Sequence, residues 1–114
     1  MTSRRTILIV EDHTDLRRFY RDALSLEGFE ISEADSGYQA LHCLDGNPID
    51  LVVLDLGLPG YNGHVVRAKI AAYAPNVPII VVTGTEDHVP HVPEVMRKPV
   101  MADQLVATVR RHLG

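Results

Sequence analysis

The sequence predicts an α/β fold in which a parallel sheet carries helices on both faces. Hydrophobic periodicity alternates along the chain between short apolar runs and helical spacing. Several of the apolar runs are continuous, as in strands that are buried on both faces. Alternating strands and helices are joined by right-handed crossovers, so the carboxyl ends of all strands lie at one edge of the sheet. With 114 residues, the chain is expected to form one domain over residues 1–114.

Five strands are expected along the chain. They are "ILIV" (7–10), "FEIS" (29–32), "LVVL" (51–54), "PIIVV" (78–82) and "EVMRK" (94–98). The second strand alternates apolar and polar residues, which is typical of a half-exposed strand at the edge of a sheet. The fifth has the weakest apolar pattern. The other three are continuous apolar runs and are expected to lie inside the sheet.

Four helices are predicted from apolar spacing and end signals. The first is expected to stop at Gly28, and the second to run from the N-cap Ser36 to Gly46. The apolar faces are Leu16, Phe19, Tyr20, Ala23 and Leu24 in the first helix, Ala40, Leu41 and Leu44 in the second, Val66, Ile70 and Tyr73 in the third, and Met101, Leu105, Val109 and Leu113 in the last, over residues 101–113.

The composition disfavours several classes of partner. A formal charge of -4 and a pI near 5.8 argue against nucleic acid, which is bound through a basic surface. The arginine pair Arg17-Arg18 is expected to lie on a solvated helix face. A single cysteine excludes an internal disulfide and suits a reducing compartment. Without a signal peptide pattern or an apolar run of about 20 residues, the chain is predicted to be cytoplasmic, with no membrane partner.

Polar residues follow four of the predicted strands. The strand ends carry Glu11-Asp12, Asp55, Thr83-Gly84 and Lys98-Pro99. Because the ends of parallel strands converge, three carboxylates, a hydroxyl and an ammonium are expected in one cleft. Each acid alone could merely cap the following helix, but the complete set in this order indicates a site. Three neighbouring carboxylates repel one another unless a cation joins them.

The expected cation is Mg²⁺, because the ligands are oxygen atoms only. Mg²⁺ leaves coordination positions open for water and a phosphate oxygen, so the site is suited to hold a phosphoryl group next to a carboxylate. Asp55 is then the predicted nucleophile. Lys98 supplies a compact positive charge, Thr83 a hydroxyl, and Gly84 an unobstructed backbone N–H for the phosphoryl oxygens.

These residues and motifs resemble the response regulator receiver domains of two-component signalling. The matching stretches are "ILIVEDH", "DLVVLDLGLPGYNG", "VPIIVVTG" and "RKP", which together extend over essentially the whole chain. The resemblance implies a flavodoxin-like, doubly wound sheet of five parallel strands ordered 2-1-3-4-5 with five helices. It also implies an aspartate that takes a phosphoryl group from a histidine kinase.

The resemblance assigns roles position by position. Asp55 matches the phosphoacceptor, Thr83 the switch hydroxyl and Lys98 the phosphate-contacting lysine, whose bond to Pro99 is commonly cis. The implied magnesium ligands are Glu11, Asp12, Asp55 and, through its backbone carbonyl, Gly57. In-line attack of Asp55 on a phosphohistidine is the implied reaction. The chain would catalyse only its own phosphorylation and dephosphorylation, and would not be an enzyme for other substrates.

The sequence departs from the family pattern between its fourth and fifth strands. Only residues 84–93 remain for the crossover, and Pro90 and Pro93 oppose a helix there. The family's fourth helix is therefore predicted to be absent or reduced to about one turn. Val95 stands where the family commonly has an aromatic residue. These features partly resemble an alphaproteobacterial subgroup called FAT GUY. His88 and His91 are expected to be solvated loop residues, in preference to zinc ligands.

Three functions are compatible with the sequence. The leading one is a stand-alone receiver that signals through a partner protein or a histidine phosphotransferase, because the chain ends one helix after Lys98. A haloacid-dehalogenase-like phosphatase is the alternative enzyme. In that class the nucleophile ends the first strand and a second aspartate follows two residues later, where this chain has Gly57. The third is a binding module that no longer switches.

Overall fold

The computed structural model describes residues 4–58, 62–84 and 94–113. Within these ranges the elements are β1 Thr6–Val10, α1 Thr14–Ser25, β2 Glu30–Ala34, α2 Gly37–Gly46, β3 Leu51–Asp55, α3 Gly63–Tyr73, β4 Ile79–Thr83, β5 Val95–Arg97 and α4 Ala102–Leu113. All neighbouring strands pair in parallel, in the order β2-β1-β3-β4-β5. The predicted fold class and strand order are confirmed.

Two hydrophobic clusters cover the two faces of the sheet. Successive side chains of a strand point to opposite faces, so each buried strand contributes to both clusters. Ile9 of β1 and Val53 of β3 pack with α1 and α4, whereas Val10 and Leu54 pack with α2 and α3. This arrangement explains why the central strands are continuous apolar runs. The edge position of β2 is also confirmed.

Side chains fix the starts of three helices. His13 is the N-cap of α1, where its Nδ1 accepts a hydrogen bond from the Leu16 N–H at 3.3 Å. The predicted N-cap Ser36 is confirmed by a 3.2 Å bond from the Gln39 N–H to its hydroxyl. Asn62 caps α3 in the same way. Gly28 has a φ of 93°, a conformation that favours glycine, and lies in the turn that follows α1.

Several details of the prediction are wrong. Strand β2 covers residues 30–34 instead of 29–32. Phe19, predicted on an apolar face, is 43% exposed. Tyr73 is 53% exposed, and its hydroxyl donates a hydrogen bond to Asp45 of α2 instead of entering the core. Met101 is 57% exposed because it precedes α4, where its N–H donates to the Gln104 side chain.

One close backbone contact connects α3 to the end of β3. A Cβ atom placed on Gly63, the first residue of α3, would lie 2.2 Å from the carbonyl oxygen of Leu56. No side chain fits at that distance, so glycine allows α3 to start directly against the backbone that follows Asp55. The contact therefore fixes α3 next to the carboxyl end of the central strand.

The predicted loss of the family's fourth helix concerns residues 84–93, most of which lie outside the described residues. His88, His91, Pro90 and Pro93 also lie outside them. The shortened crossover and the subgroup resemblance therefore stay predictions. Val95 is described, and it is a partly buried residue of β5 that pairs with Val81.

Candidate functional site

The central strands β1 and β3 position two buried acids. Asp55 is the last residue of β3, and Glu11 directly follows β1, where its N–H donates to the Ala34 carbonyl at 3.0 Å. Glu11 is 1% exposed and Asp55 is 5% exposed. The strand alternation of Ile9 and Val53 places both acids on the sheet face that carries α1 and α4.

Lys98 bridges these two acids. Its Nζ donates to Glu11 Oε1 at 3.0 Å and to Asp55 Oδ2 at 3.2 Å. The position of the lysine is set from β4, because the Lys98 N–H donates to the Thr83 carbonyl at 2.8 Å. The bond between Lys98 and Pro99 is cis, as the sequence resemblance implied. Residues more than 40 positions apart thus form one charged cluster.

The predicted site residues lie in a single open pocket. Its volume is about 480 Å³. It is lined by Glu11, Asp12, His13, Leu16, Asp55, Gly57, Thr83, Gly84 and Lys98. Each of the three acids offers one carboxylate oxygen, and these oxygens lie within 4.8 Å of one another. All residues that the sequence assigned to metal or phosphate binding are therefore brought together at the carboxyl edge of the sheet.

Backbone groups hold the acids in place. The Gly57 N–H donates to Asp55 Oδ1 at 2.9 Å, and the His13 N–H donates to Glu11 Oε2 at 3.2 Å. A Cβ on Gly57 would lie 3.4 Å from Asp55 Oδ1, which is an ordinary contact. The backbone conformation after β3, which places the Gly57 N–H, therefore matters more for holding Asp55 than the absence of a side chain at Gly57. Asp12, in contrast, is exposed and open to the pocket.

Burial and charge act in opposite directions on this cluster. Burial, together with the hydrogen bond to and the charge of Asp55, raises the pKa of Glu11 to about 7, although Lys98 lowers it. Burial also lowers the pKa of Lys98, but its hydrogen bond with Glu11 and the charge of Asp55 outweigh burial and leave that pKa above its usual value. Lys98 is therefore a permanent ammonium at neutral pH, whereas Glu11 exchanges a proton there.

Arg17 supports the site from outside the pocket, although a solvated helix face was expected for it. Its Nη1 donates to the Glu11 carbonyl at 2.9 Å and its Nε pairs with Glu33 at 3.2 Å. Its side chain is only 18% exposed, whereas the neighbouring Arg18 is exposed. Position 17 lies one turn into α1, on the side that faces the β1 end. Only the rotation of α1 about its axis distinguishes the two arginines.

The fold and the pocket define a receiver domain of two-component signalling. The family model described as the response regulator receiver domain matches residues 7–110, and the chain belongs to this family. Receiver domains signal through an aspartyl phosphate and are phosphorylated by histidine kinases.

Individual relatives agree with this assignment. The C4-dicarboxylate transport transcriptional regulatory protein DctD of Rhizobium meliloti (strain 1021) is 32% identical over an alignment of 119 positions that covers 97% of this chain and 26% of DctD. The chain spans 52% of the DNA-binding response regulator MtrA of Mycobacterium bovis and 8% of the sensor histidine kinase RcsC of Salmonella typhimurium. It is thus similar to one part of larger proteins.

Solved structures share the fold closely. A CheY-like receiver domain protein from Methanospirillum hungatei JF-1 has a TM-score of 0.91 at 24% identity, with 97% of this chain and 94% of that chain covered. The response regulator TrrA from Thermotoga maritima, solved in complex with Mg(2+)-BeF, has a TM-score of 0.87 at 29% identity, with 96% and 99% covered. No helix in residues 4–58, 62–84 and 94–113 has the length and hydropathy of a membrane span.

Proposed function

We propose that this chain is a phosphorylation-dependent switch in which Asp55 takes a phosphoryl group from a histidine kinase with the help of Mg²⁺. One observation carries the proposal: Glu11, Asp12 and Asp55 bring their oxygens within 4.8 Å of one another, and Lys98 contacts two of these acids. A nucleophilic carboxylate, acidic metal ligands and a phosphate-binding cation are the groups that this transfer needs. Downstream, the phosphorylated chain would act through a partner protein or a histidine phosphotransferase.

The residues present fit a magnesium ion. Among the described residues of the pocket, the charged candidate ligands are carboxylates, with no cysteine. Glu11, Asp12 and Asp55 would hold the ion, and Gly57, which the family resemblance implies as a ligand through its backbone carbonyl, lines the same pocket. When bound, Mg²⁺ neutralises carboxylate charge and orients a phosphoryl oxygen.

The chain's own residues account for the transfer. A carboxylate oxygen of Asp55 forms a bond to phosphorus while the P–N bond of the phosphohistidine breaks, and the electron pair stays on the imidazole nitrogen. The Gly57 N–H orients the carboxylate through its 2.9 Å bond to Oδ1. The Lys98 ammonium and the Thr83 hydroxyl neutralise charge that spreads over the phosphoryl oxygens. The buried acids and the ammonium are already in place, so the reaction needs little rearrangement.

The proposal limits the chain to its own phosphorylation and dephosphorylation. The phosphatase alternative places the nucleophile at the end of the first strand, whereas Asp55 ends β3 and the family model is that of receivers. A non-switching binding module would not need three neighbouring acids and a lysine that contacts two of them. The localisation that fits this role is the cytoplasm, where histidine kinases expose their phosphohistidine.

The direct test is phosphorylation in the absence of other proteins. Incubation with Mg²⁺ and acetyl phosphate is expected to add one phosphoryl group, detected by intact-mass spectrometry and located at Asp55 by borohydride trapping. Addition of EDTA should prevent the reaction. If neither acetyl phosphate nor a panel of phosphorylated histidine kinases modifies the chain, the proposed function is wrong.

Mg²⁺ affinity is expected to depend on pH below neutrality. The pKa of Glu11 is raised from 4.5 to about 7, so Glu11 is protonated at pH 5 to 6 and must release a proton when the ion binds. The apparent affinity should therefore rise about tenfold per pH unit from pH 5 toward pH 7 and level off above. Titrations followed by backbone NMR at four pH values measure this. A constant affinity between pH 5.5 and 7 would contradict the proton competition.

Arg17 is expected to support Mg²⁺ binding indirectly. Arg17→Met removes the bonds to the Glu11 carbonyl and to Glu33, and thereby loosens the segment that carries two of the acids. We expect Mg²⁺ affinity to fall about threefold to tenfold, because only part of the roughly 1.5 kcal/mol that a hydrogen bond from a charged group contributes acts on ion binding. Arg18→Met is the matched control, because Arg18 is exposed on the next position. Equal losses in both variants would indicate a general charge effect instead.

A further inference from the structure

Tyr20 of α1 has a buried hydroxyl that the proposed mechanism does not use. The residue is 1% exposed, and its oxygen has no hydrogen-bond partner within the part of the chain that the structure describes. The apolar spacing of α1 predicted only a core position for Tyr20. Buried tyrosine hydroxyls usually have a partner, because an unpaired one loses its hydration without compensation. The position of this hydroxyl therefore needs an explanation.

The ring belongs to the hydrophobic cluster whose strand residues lead to the acid pocket. Three of its cluster neighbours, Ile9, Val53 and Val100, are each two positions from Glu11, Asp55 and Lys98 respectively. Side chains two positions apart in a strand share a face, so the two acids follow Ile9 and Val53 on the face that Tyr20 covers. The hydrophobic core around the ring is therefore continuous, toward the carboxyl ends of β1 and β3, with the residues of the pocket.

The direction of α1 points the hydroxyl toward that pocket. The helix starts at Thr14, directly after the acid pair, and runs away from the carboxyl edge of the sheet. Side chains in a helix tilt toward its N-terminus, so the Tyr20 ring extends back toward the acids. Burial raises the pKa of Tyr20, while the charges of Lys98, Glu11 and Asp55 also act on it. The influence of these three charges agrees with the orientation that the helix direction gives the hydroxyl.

One of the three N–H groups of the Lys98 ammonium is not used by the described contacts. Its ammonium carries three N–H groups, and the described contacts to Glu11 and Asp55 use two of them. A bound cation and phosphoryl group would compete with the ammonium for the carboxylate oxygens of Glu11 and Asp55. N–H groups of Lys98 would then lack an acceptor. The Tyr20 hydroxyl is a neutral acceptor without a partner among the described residues.

We propose that Tyr20 is a positioning residue of the phosphoryl-transfer site, whose hydroxyl accepts a hydrogen bond from the Lys98 ammonium once the acids have engaged the metal ion and the phosphoryl group. This inference rests on the proposed function and deepens it. In the unliganded chain the buried hydroxyl has no described hydrogen-bond partner, which costs free energy. In the liganded chain the hydroxyl is paired with Lys98. The difference favours the liganded state and fixes the position of the Lys98 ammonium in that state.

Tyr20→Phe tests the inference, because it removes the hydroxyl and keeps the ring that packs in the core. The probe is Mg²⁺ with beryllofluoride, and its affinity is expected to fall about threefold to tenfold in the variant. The melting temperature of the unliganded chain should stay equal or rise, since the hydroxyl has no described partner to lose. Tyr38→Phe is the matched control, with a side chain that is 72% exposed, and should bind as the wild type does.

A second measurement uses the wild-type chain with tyrosine labelled at the ¹³Cζ position. The resonance that is absent from the spectrum of Tyr20→Phe identifies Tyr20, and it should shift when Mg²⁺ and beryllofluoride are added. Equal beryllofluoride affinities in wild type and Tyr20→Phe, or an unmoved Tyr20 resonance in the liganded wild type, would overturn the inference alone. Failure of the wild type to bind beryllofluoride would overturn the proposed function as well.

Discussion

Replacing Asp55 with asparagine is expected to abolish phosphoryl incorporation while preserving the fold. Asparagine has the shape of aspartate, and its amide oxygen can still accept the 2.9 Å bond from the Gly57 N–H. An amide lacks the charge and the nucleophilic oxygen that attack on phosphorus needs. With Mg²⁺ and acetyl phosphate, mass spectrometry should show one added group on the wild type and none on Asp55→Asn. Asp103→Asn, which removes an exposed carboxylate of α4, should be modified normally.

The same variant should alter the rest of the pocket in a defined direction. Asp55 raises the pKa of Glu11 through a hydrogen bond and its charge, so its removal lowers that pKa and strengthens the pair of Glu11 with Lys98. The unliganded variant is therefore expected to be at least as stable as the wild type above pH 7. Mg²⁺ affinity should fall by about tenfold or more, since one of three carboxylates is lost. Undiminished phosphorylation of Asp55→Asn would show that another residue is the phosphoacceptor.

Gly63→Ala is expected to destabilise the chain strongly and to impair the site. The added Cβ would lie 2.2 Å from the Leu56 carbonyl oxygen and 2.5 Å from the Leu56 Cα, which are backbone atoms that no rotamer change can move. The start of α3 or the backbone after Asp55 must shift. We expect a loss of about 3 kcal/mol or more in the free energy of unfolding, measured by denaturation in urea.

Gly46→Ala is the matched control for this effect. Gly46 ends α2, and a Cβ there would meet no atom within 4 Å. Because alanine favours a helix over glycine, this variant should be neutral or more stable by up to about 1 kcal/mol. A similar loss in both glycine variants would show that the close contact at Leu56 is not the cause. Phosphorylation of the remaining folded fraction should be slowed only in Gly63→Ala.

The strand-end residues could be predicted because they depend on one topological rule. Continuous apolar runs identify the buried strands, and a parallel sheet necessarily brings their carboxyl ends together. Glu11, Asp55 and Lys98 therefore needed no knowledge of side-chain packing to be placed in one pocket. Their roles in metal binding and phosphoryl transfer stay predictions until the experiments above are done.

The details that sequence reasoning missed depend on how individual side chains are packed. Arg17 and Arg18 are equivalent in sequence, and only the orientation of α1 turns one toward the Glu11 carbonyl. Tyr73 has an apolar ring at helical spacing, yet a partner on α2 keeps its hydroxyl at the surface. Tyr20 is indistinguishable from a core aromatic residue until its oxygen is found without a described partner. Hydrophobic periodicity predicts which helix face is apolar, but it does not predict where the polar atom of a side chain lies in the folded structure.

Lys98 acts as an internal counter-ion for the pocket. Glu11, Asp12 and Asp55 carry three negative charges when ionised, and the lysine that contacts two of them neutralises one. The remaining two negative charges match the two positive charges of a single divalent cation. Monovalent ions would leave the pocket negative and trivalent ions would make it positive. Under the proposed function, this charge balance would favour a divalent cation, in addition to the preference set by ion size and coordination geometry.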